Sequence, residues 1–240
     1  MSIIKPIYVM NEEGLSELEK KAVLEGAEEM IKIAEAEDIT RIIDLGVFNG
    51  EKNEEDPLMT YHSIDWYLQK GKEKSLENLL EANRLLNLLE ASIKPFGQYH
   101  FLLLKSGIYT GTTPCVGIGS LGGPGAIVSA YKFKDLDEET RCGCIKTAAM
   151  HEIGHNFGLV NEKRENTDYT HCNNRCVMRI GRPSPEALIT MTEDRLKYGP
   201  FCEPCEKYLK ERFKEKPPVD NPKSEQKILI LNLLNSKKKE

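Results

Sequence analysis

The sequence predicts an α/β chain: a twisted mixed sheet packed with helices, followed by a smaller cysteine-rich part. Three observations lead there. Segments of strand pattern and of helix pattern alternate through the first half, the signature of a layered sheet-and-helix domain. The chain has 240 residues, 40% hydrophobic and 30% charged, enough to bury a sizeable core and too apolar for wholesale disorder. The seven cysteines are concentrated in the second half, where three of the five histidines also lie.

The elements follow in order. Ile3 to Met10 is a short apolar run that predicts a first strand. From Leu15 to Glu37, Leu15, Leu18, Ala22, Val23, Met30, Ile33 and Ala34 recur at helical spacing. Ile39 to Phe48 is rich in β-branched residues and predicts a strand that ends at Asn49-Gly50. The stretch from Asp56 to Lys72 has no clear period. Leu76 to Ile93 predicts an amphipathic helix, with Leu79, Leu80, Leu85, Leu86, Leu88 and Leu89 toward a core, and Tyr99 to Lys105 a strand. Gly107 to Gly125 is a loop by composition; without a Gly-Lys-Ser/Thr ending it does not fit a phosphate-binding loop. Ala126 to Phe133 predicts another strand. A helix is expected after Cys205 as far as Lys216, where Pro217-Pro218 stops it; residues 217–224 form a linker and Gln226 to Asn235 an apolar tail.

A net charge of -5 gives no electrostatic reason to expect nucleic acid or an anionic membrane as partner. No apolar run approaches the roughly 18–20 residues that cross a bilayer. The opening Met-Ser-Ile-Ile-Lys-Pro lacks the layout of a secretory signal, so the expected compartment is the cytoplasm. There, an odd number of closely spaced cysteines points to metal ligation more than to disulfides.

The decisive stretch is Ala148-Ala149-Met150-His151-Glu152-Ile153-Gly154-His155-Asn156-Phe157-Gly158. Residues four apart share a helix face, so His151 and His155 can bring both imidazoles to one zinc ion. Glu152 lies about 100° further round the helix, beside the metal, placed to take a proton from activated water as general base without being a ligand. Gly158 can supply the left-handed turn that ends the helix and sends the chain back toward the metal. It leads to His171-Cys172 and Cys176-Val177-Met178.

In these residues the sequence resembles the metzincin metallopeptidases, and within them the archaemetzincins. In that family a third histidine is followed directly by cysteine, then by Cys-x-Met and a later Cys-x-x-Cys; here these appear as His171-Cys172, Cys176-Val177-Met178 and Cys202-Glu203-Pro204-Cys205. The motifs span roughly residues 148–205. The resemblance implies a metzincin-like α/β (α+β) fold: a twisted mixed sheet with a backing helix and an active-site helix, then a small cysteine-rich, zinc-bound C-terminal subdomain. It implies two zinc ions, one catalytic and one structural, a Met178 turn beneath the first, and a strand at Ala126–Phe133 as the edge that carries an extended peptide. The expected organisation is a catalytic subdomain over 1–160, a second subdomain over 161–216 with the third ligand and the cysteine site, and a linker and tail over 217–240.

Two departures stand out. Asn161 occupies the family's third-histidine position, and the next histidine is His171, as though Asn161 to Thr170 were a polar insertion, which costs little loop entropy. His171 is the expected third ligand, with Asn161, Glu162, Glu165 and Asp168 as alternatives; His62 and His100 lie far upstream. Three residues separate Cys172 from Cys176 where the family has four. Cys172, Cys176, Cys202 and Cys205 have a spacing that suits a closed four-thiolate zinc site. Cys142-Gly-Cys144 has no assigned role. The expected function is peptide-bond hydrolysis on a peptide or protein substrate; the alternatives are a silent metal-binding module of the same fold and another zinc-dependent amide hydrolase.

Overall fold

The computed structural model describes residues 6–50, 62–73, 75–76, 78–91, 99–160, 166–168, 170–179 and 184–214. Along the chain, β1 (Ile7–Asn11) leads into α1 (Glu17–Ile33) and β2 (Ile42–Gly46). Next come α2 (Ile64–Lys72), β3 (Leu80–Glu81), α3 (Ala82–Ala91) and β4 (Tyr99–Leu104). The short strands β5 (Ile108–Thr110), β6 (Thr113–Cys115), β7 (Gly117–Gly119) and β8 (Gly125–Ser129) precede the long α4 (Glu138–Asn156). β9 (Thr167–Asp168), β10 (His171–Cys172), α5 (Pro185–Tyr198) and α6 (Glu203–Lys214) complete the described part.

Strand alternation decides the layers. The main sheet runs β2-β1-β4-β8-β7, parallel throughout except for β7, which is antiparallel to β8. Ile7, Val9, Phe101, Leu103, Ala126 and Val128 face one side and pack with α1, α4, α5 and α6. Met10, Leu102, Leu104 and Ile127 face the other and pack with Ile64, Tyr67, Leu85, Leu86 and Leu89 of α2 and α3. Covered on both faces, β4 and β8 read as continuous apolar runs, as parallel strands do. The fold is thus mixed α/β, with six α-helices among the described residues and a cysteine cluster toward the C-terminal end.

Several sequence expectations change. Gly107–Gly125 is not one loop: it holds β5 and β6, which form a small sheet with β3, and then β7. Ala126–Phe133 is not the edge strand. β8 lies inside the sheet, ending at Ser129 before a tight 3-10 turn at Tyr131–Phe133, and the edge beside α4 is β7. A glycine-rich strand carries no apolar period, which is why composition assigned it to a loop. The helix predicted from Leu76 begins only at Ala82, because Leu80 pairs with Ile108. Strand pairing there outweighs the leucine periodicity. The sequence had no clear period for α2 and suggested nothing for α5. Residues 217–240 and Asn161, Glu162 and Glu165 lie outside the described residues.

Candidate metal centres

The placement of the histidines begins with the ends of α4. Asp137 caps its start by accepting the Thr140 N–H at 3.0 Å. Its other end closes in a Schellman turn, with Gly158 N–H to His155 O at 2.9 Å and Leu159 N–H to Gly154 O at 3.0 Å. Gly158 has φ +68, a conformation open to glycine. His155 O also accepts the N–H of Gly122, tying the β7–β8 turn to the end of the helix.

His151 and His155 sit on one face, with ring centroids 4.7 Å apart. The ring of His171, from β10, lies 5.2 Å from each. One ring nitrogen from each histidine falls within 4.8 Å of the others, so the three form a group able to hold a metal ion. Nδ1–H of His151 donates to Val177 O at 2.6 Å, which leaves Nε2 unprotonated. That atom faces His155 Nε2 at 3.0 Å. His155 Nε2–H can donate to that lone pair, and with this proton lost the two nitrogens can share one cation. His155 Nδ1 is buried with no partner among the described residues. Burial lowers the His151 pKa to about 4, although the Val177 hydrogen bond raises it. Burial lowers His155 to about 2 and also lowers His171. Neutral imidazole is the form that binds metal, so the donor set fits. Asp168, paired with His171 across the β9–β10 ladder, is exposed and outside the group.

Glu152 is 6% exposed, and burial pushes its carboxyl up to about 8. Its cover is β7. A Cβ at Gly117 would lie 2.5 Å from Glu152 Oε1, and one at Gly119 would lie 2.5 Å from the Glu152 carbonyl oxygen. These glycines let the edge strand lie directly on the helix. Asn156 secures the same hairpin, its Nδ2 donating to Gly125 O at 2.6 Å and to Ser120 O at 3.2 Å. Met178 is fully buried against Gly154, where a Cβ would collide with its sulfur. The sequence reading passed over Gly117, Gly119, Asn156 and the Val177 carbonyl; the Gly-x-Gly stretch was their one visible signal.

Cys172, Cys176, Cys202 and Cys205 form a second group. Cys172 and Cys202 sulfurs are 3.6 Å apart, and those of Cys176 and Cys205 are 3.7 Å apart. This is too far for a disulfide, and close to the edge of a tetrahedron of sulfurs about 2.3 Å from one ion. Hydrogen bonding within the group raises the Cys176 thiol and lowers that of Cys202. Asn174 donates its backbone N–H to Cys172 at 3.3 Å and its side chain to Cys202 at 3.5 Å. Outside both groups, Cys144 is buried and accepts from the Thr192 hydroxyl, and Cys142 is half-buried on the same helix. Burial, with the Glu152 charge adding to it, holds the Cys115 thiol up at about 11.

The chain is similar to an archaemetzincin from Nanoarchaeum equitans, with 37% identity over 81 residues, 34% of each chain. An archaemetzincin from Archaeoglobus fulgidus shares 33% over 89 residues, 37% of this chain and 45% of that one. The crystal structure of archaemetzincin from Methanopyrus kandleri superposes with a TM-score of 0.61 at 18% identity, covering 88% of this chain and 96% of that one. The chain is archaemetzincin-like. The Archaeoglobus fulgidus crystal structure, a complex with malonate, gives 0.52 at 19% identity over 85% and 99% of the two chains. At these identities the solved structures speak for the archaemetzincin-like fold alone. The sequence matches span less than half the length of the two curated relatives. No family model matches the chain.

Proposed function

We propose that the chain is a zinc-dependent peptidase. In this reading His151, His155 and His171 hold a catalytic zinc, and Cys172, Cys176, Cys202 and Cys205 hold a structural one. Residues 1–160 carry the catalytic helix, and 161–216 supply the third ligand and the second site. The observation that carries the proposal is the meeting of three neutral imidazoles beside one buried carboxyl. When bound, zinc supplies the Lewis acidity that polarises a carbonyl and makes water nucleophilic near neutral pH.

The chain's own residues do the rest. Glu152 takes a proton from water and returns it to the leaving amine. Its burial under β7 keeps it away from bulk water and ready to hold that proton. Val177 O fixes the His151 tautomer and ring, so that Nε2 is the donor atom. Among the described residues β7 pairs within the main sheet only with β8, and its other edge has backbone groups to align an extended peptide substrate.

The test is metal analysis of the purified chain and its variants. Two zinc ions are expected in the parent, one fewer in His171→Ala, and two in both Asn161→Ala and Glu152→Ala. A single ion in the parent, or loss from Asn161→Ala with retention in His171→Ala, contradicts the ligand assignment.

A further inference from the structure

Arg141 and His155 stand fourteen residues apart on α4, about 21 Å at 1.5 Å per residue. Near Arg141, away from the histidines, lies an open cavity of about 670 Å³. The segments that follow β1, β4 and β8 line it. The sheet order explains its position. β1 continues through α1 to β2 on one side, whereas β4 has β8 on the other, so the order reverses between β1 and β4. Such a reversal opens a crevice outside the carboxyl ends of the strands, where open α/β sheets take ligands.

We propose that this cavity binds a small phosphate-bearing molecule. Its lining has three cations, Lys105, Lys134 and Arg141, against two carboxylates, Glu12 and Glu19. Both carboxylates are already engaged. Glu12 accepts the backbone N–H groups of Lys105 at 2.8 Å and Ser106 at 2.7 Å, and the Ser106 hydroxyl at 2.7 Å. Glu19 accepts the Ser16 N–H in a capping box and lies 3.0 Å from Arg141 Nε. That box also occupies the Ser16 hydroxyl, so the start of α1 is already satisfied, and the lysines carry the recognition.

Lys105 lies over Gly14, where a Cβ would come within 2.8 Å of its ammonium. Lys134 stands 4.6 Å from the Tyr131 ring centroid. The lysine–carboxylate pairs among the described residues involve Lys20, Lys21, Lys70, Lys146 and Lys210, and neither Lys105 nor Lys134. A local excess of cations in a chain of net charge -5 favours an anion. Ammonium groups on separate arms suit a tetrahedral, multiply charged phosphate better than a planar carboxylate, which an arginine fork would match. The volume is that of small-molecule sites, larger than a bare ion needs.

Titration calorimetry on the full chain at fixed ionic strength, with pyrophosphate and separately with citrate, tests the proposal. Saturable one-to-one binding of pyrophosphate is expected, weakened at least about tenfold in Lys105→Ala/Lys134→Ala, as loss of charge-assisted contacts dictates. The same affinity is expected in His151→Ala, which excludes binding at the metal centre and keeps this test separate from the peptidase reading. Absence of saturable binding, an unchanged affinity in the double variant, or a loss in His151→Ala overturns the site. Citrate binding as tight as pyrophosphate overturns the phosphate assignment.

Discussion

A methyl group at position 117 would stand 2.5 Å from the Glu152 carboxylate, and no shift short of moving the strand or the carboxyl relieves it. Gly117→Ala is therefore expected to retain zinc and cut hydrolysis of a responsive peptide at least about tenfold, toward the loss of about 100- to 10,000-fold set by Glu152→Ala. Steady-state rates with parallel zinc analysis check this; a parent-like rate in Gly117→Ala would mean that β7 yields without disturbing Glu152. The motif around Glu152 was legible because helical spacing alone brings two histidines and one carboxylate to the same region. Its cover was not, because glycines carry no side-chain pattern that says what lies above them.

Two elements meet at Asn156, the end of α4 and the β7–β8 hairpin. Its amide is buried and gives both of its hydrogen bonds to the hairpin. Asn156→Ala leaves the Ser120 and Gly125 carbonyls without these partners, an expected cost of about 1–3 kcal/mol. Chemical denaturation measures it, and an unchanged midpoint would show that the hairpin holds without the clip. In β4, burial lowers the His100 pKa to about 3 from an ordinary value of 6.5. A histidine kept neutral by folding contributes fully above the unfolded pKa, and its contribution is lost as pH falls from about 6.5 toward 3. Near pH 5 that loss is about 2 kcal/mol, at about 1.4 kcal/mol per unit. His100→Gln should flatten the acid side of the stability profile by that amount, whatever its stability at neutral pH. If denaturation at pH 5 and pH 7.5 shows the same acid loss in parent and variant, His100 is not the group responsible.

Across the whole molecule the two candidate metal centres are not independent. His171 and Cys172 are neighbours in β10, and Cys176 precedes Val177, whose carbonyl orients His151, and Met178, which packs on Gly154. Val177 N–H bonds to Pro200 O at 2.8 Å, linking this turn to the segment that bears Cys202 and Cys205. Cys202→Ser/Cys205→Ser is accordingly expected to lose one zinc outright and to weaken the histidine site by about 10- to 100-fold, the range for groups that orient ligands. Chelator competition measures both; an unchanged affinity at the histidines would show that β10 and the Met178 turn keep their place without the cysteine site. No described helix is long and apolar enough to cross a membrane.

Local pattern by itself determined the alternation of strands and helices, the His-Glu-x-x-His helix, the two cysteine pairs and the archaemetzincin resemblance, because each is built from short motifs whose own residues lie a few positions apart. Only the tertiary structure decided which strand forms the edge, what buries Glu152, and which histidine from outside α4 approaches the pair on it. It also decided that the acids of the cavity near Arg141 are engaged while its lysines have no carboxylate partner among the described residues. Those outcomes depend on strand pairing and on contacts between residues tens of positions apart, which spacing along the chain does not encode.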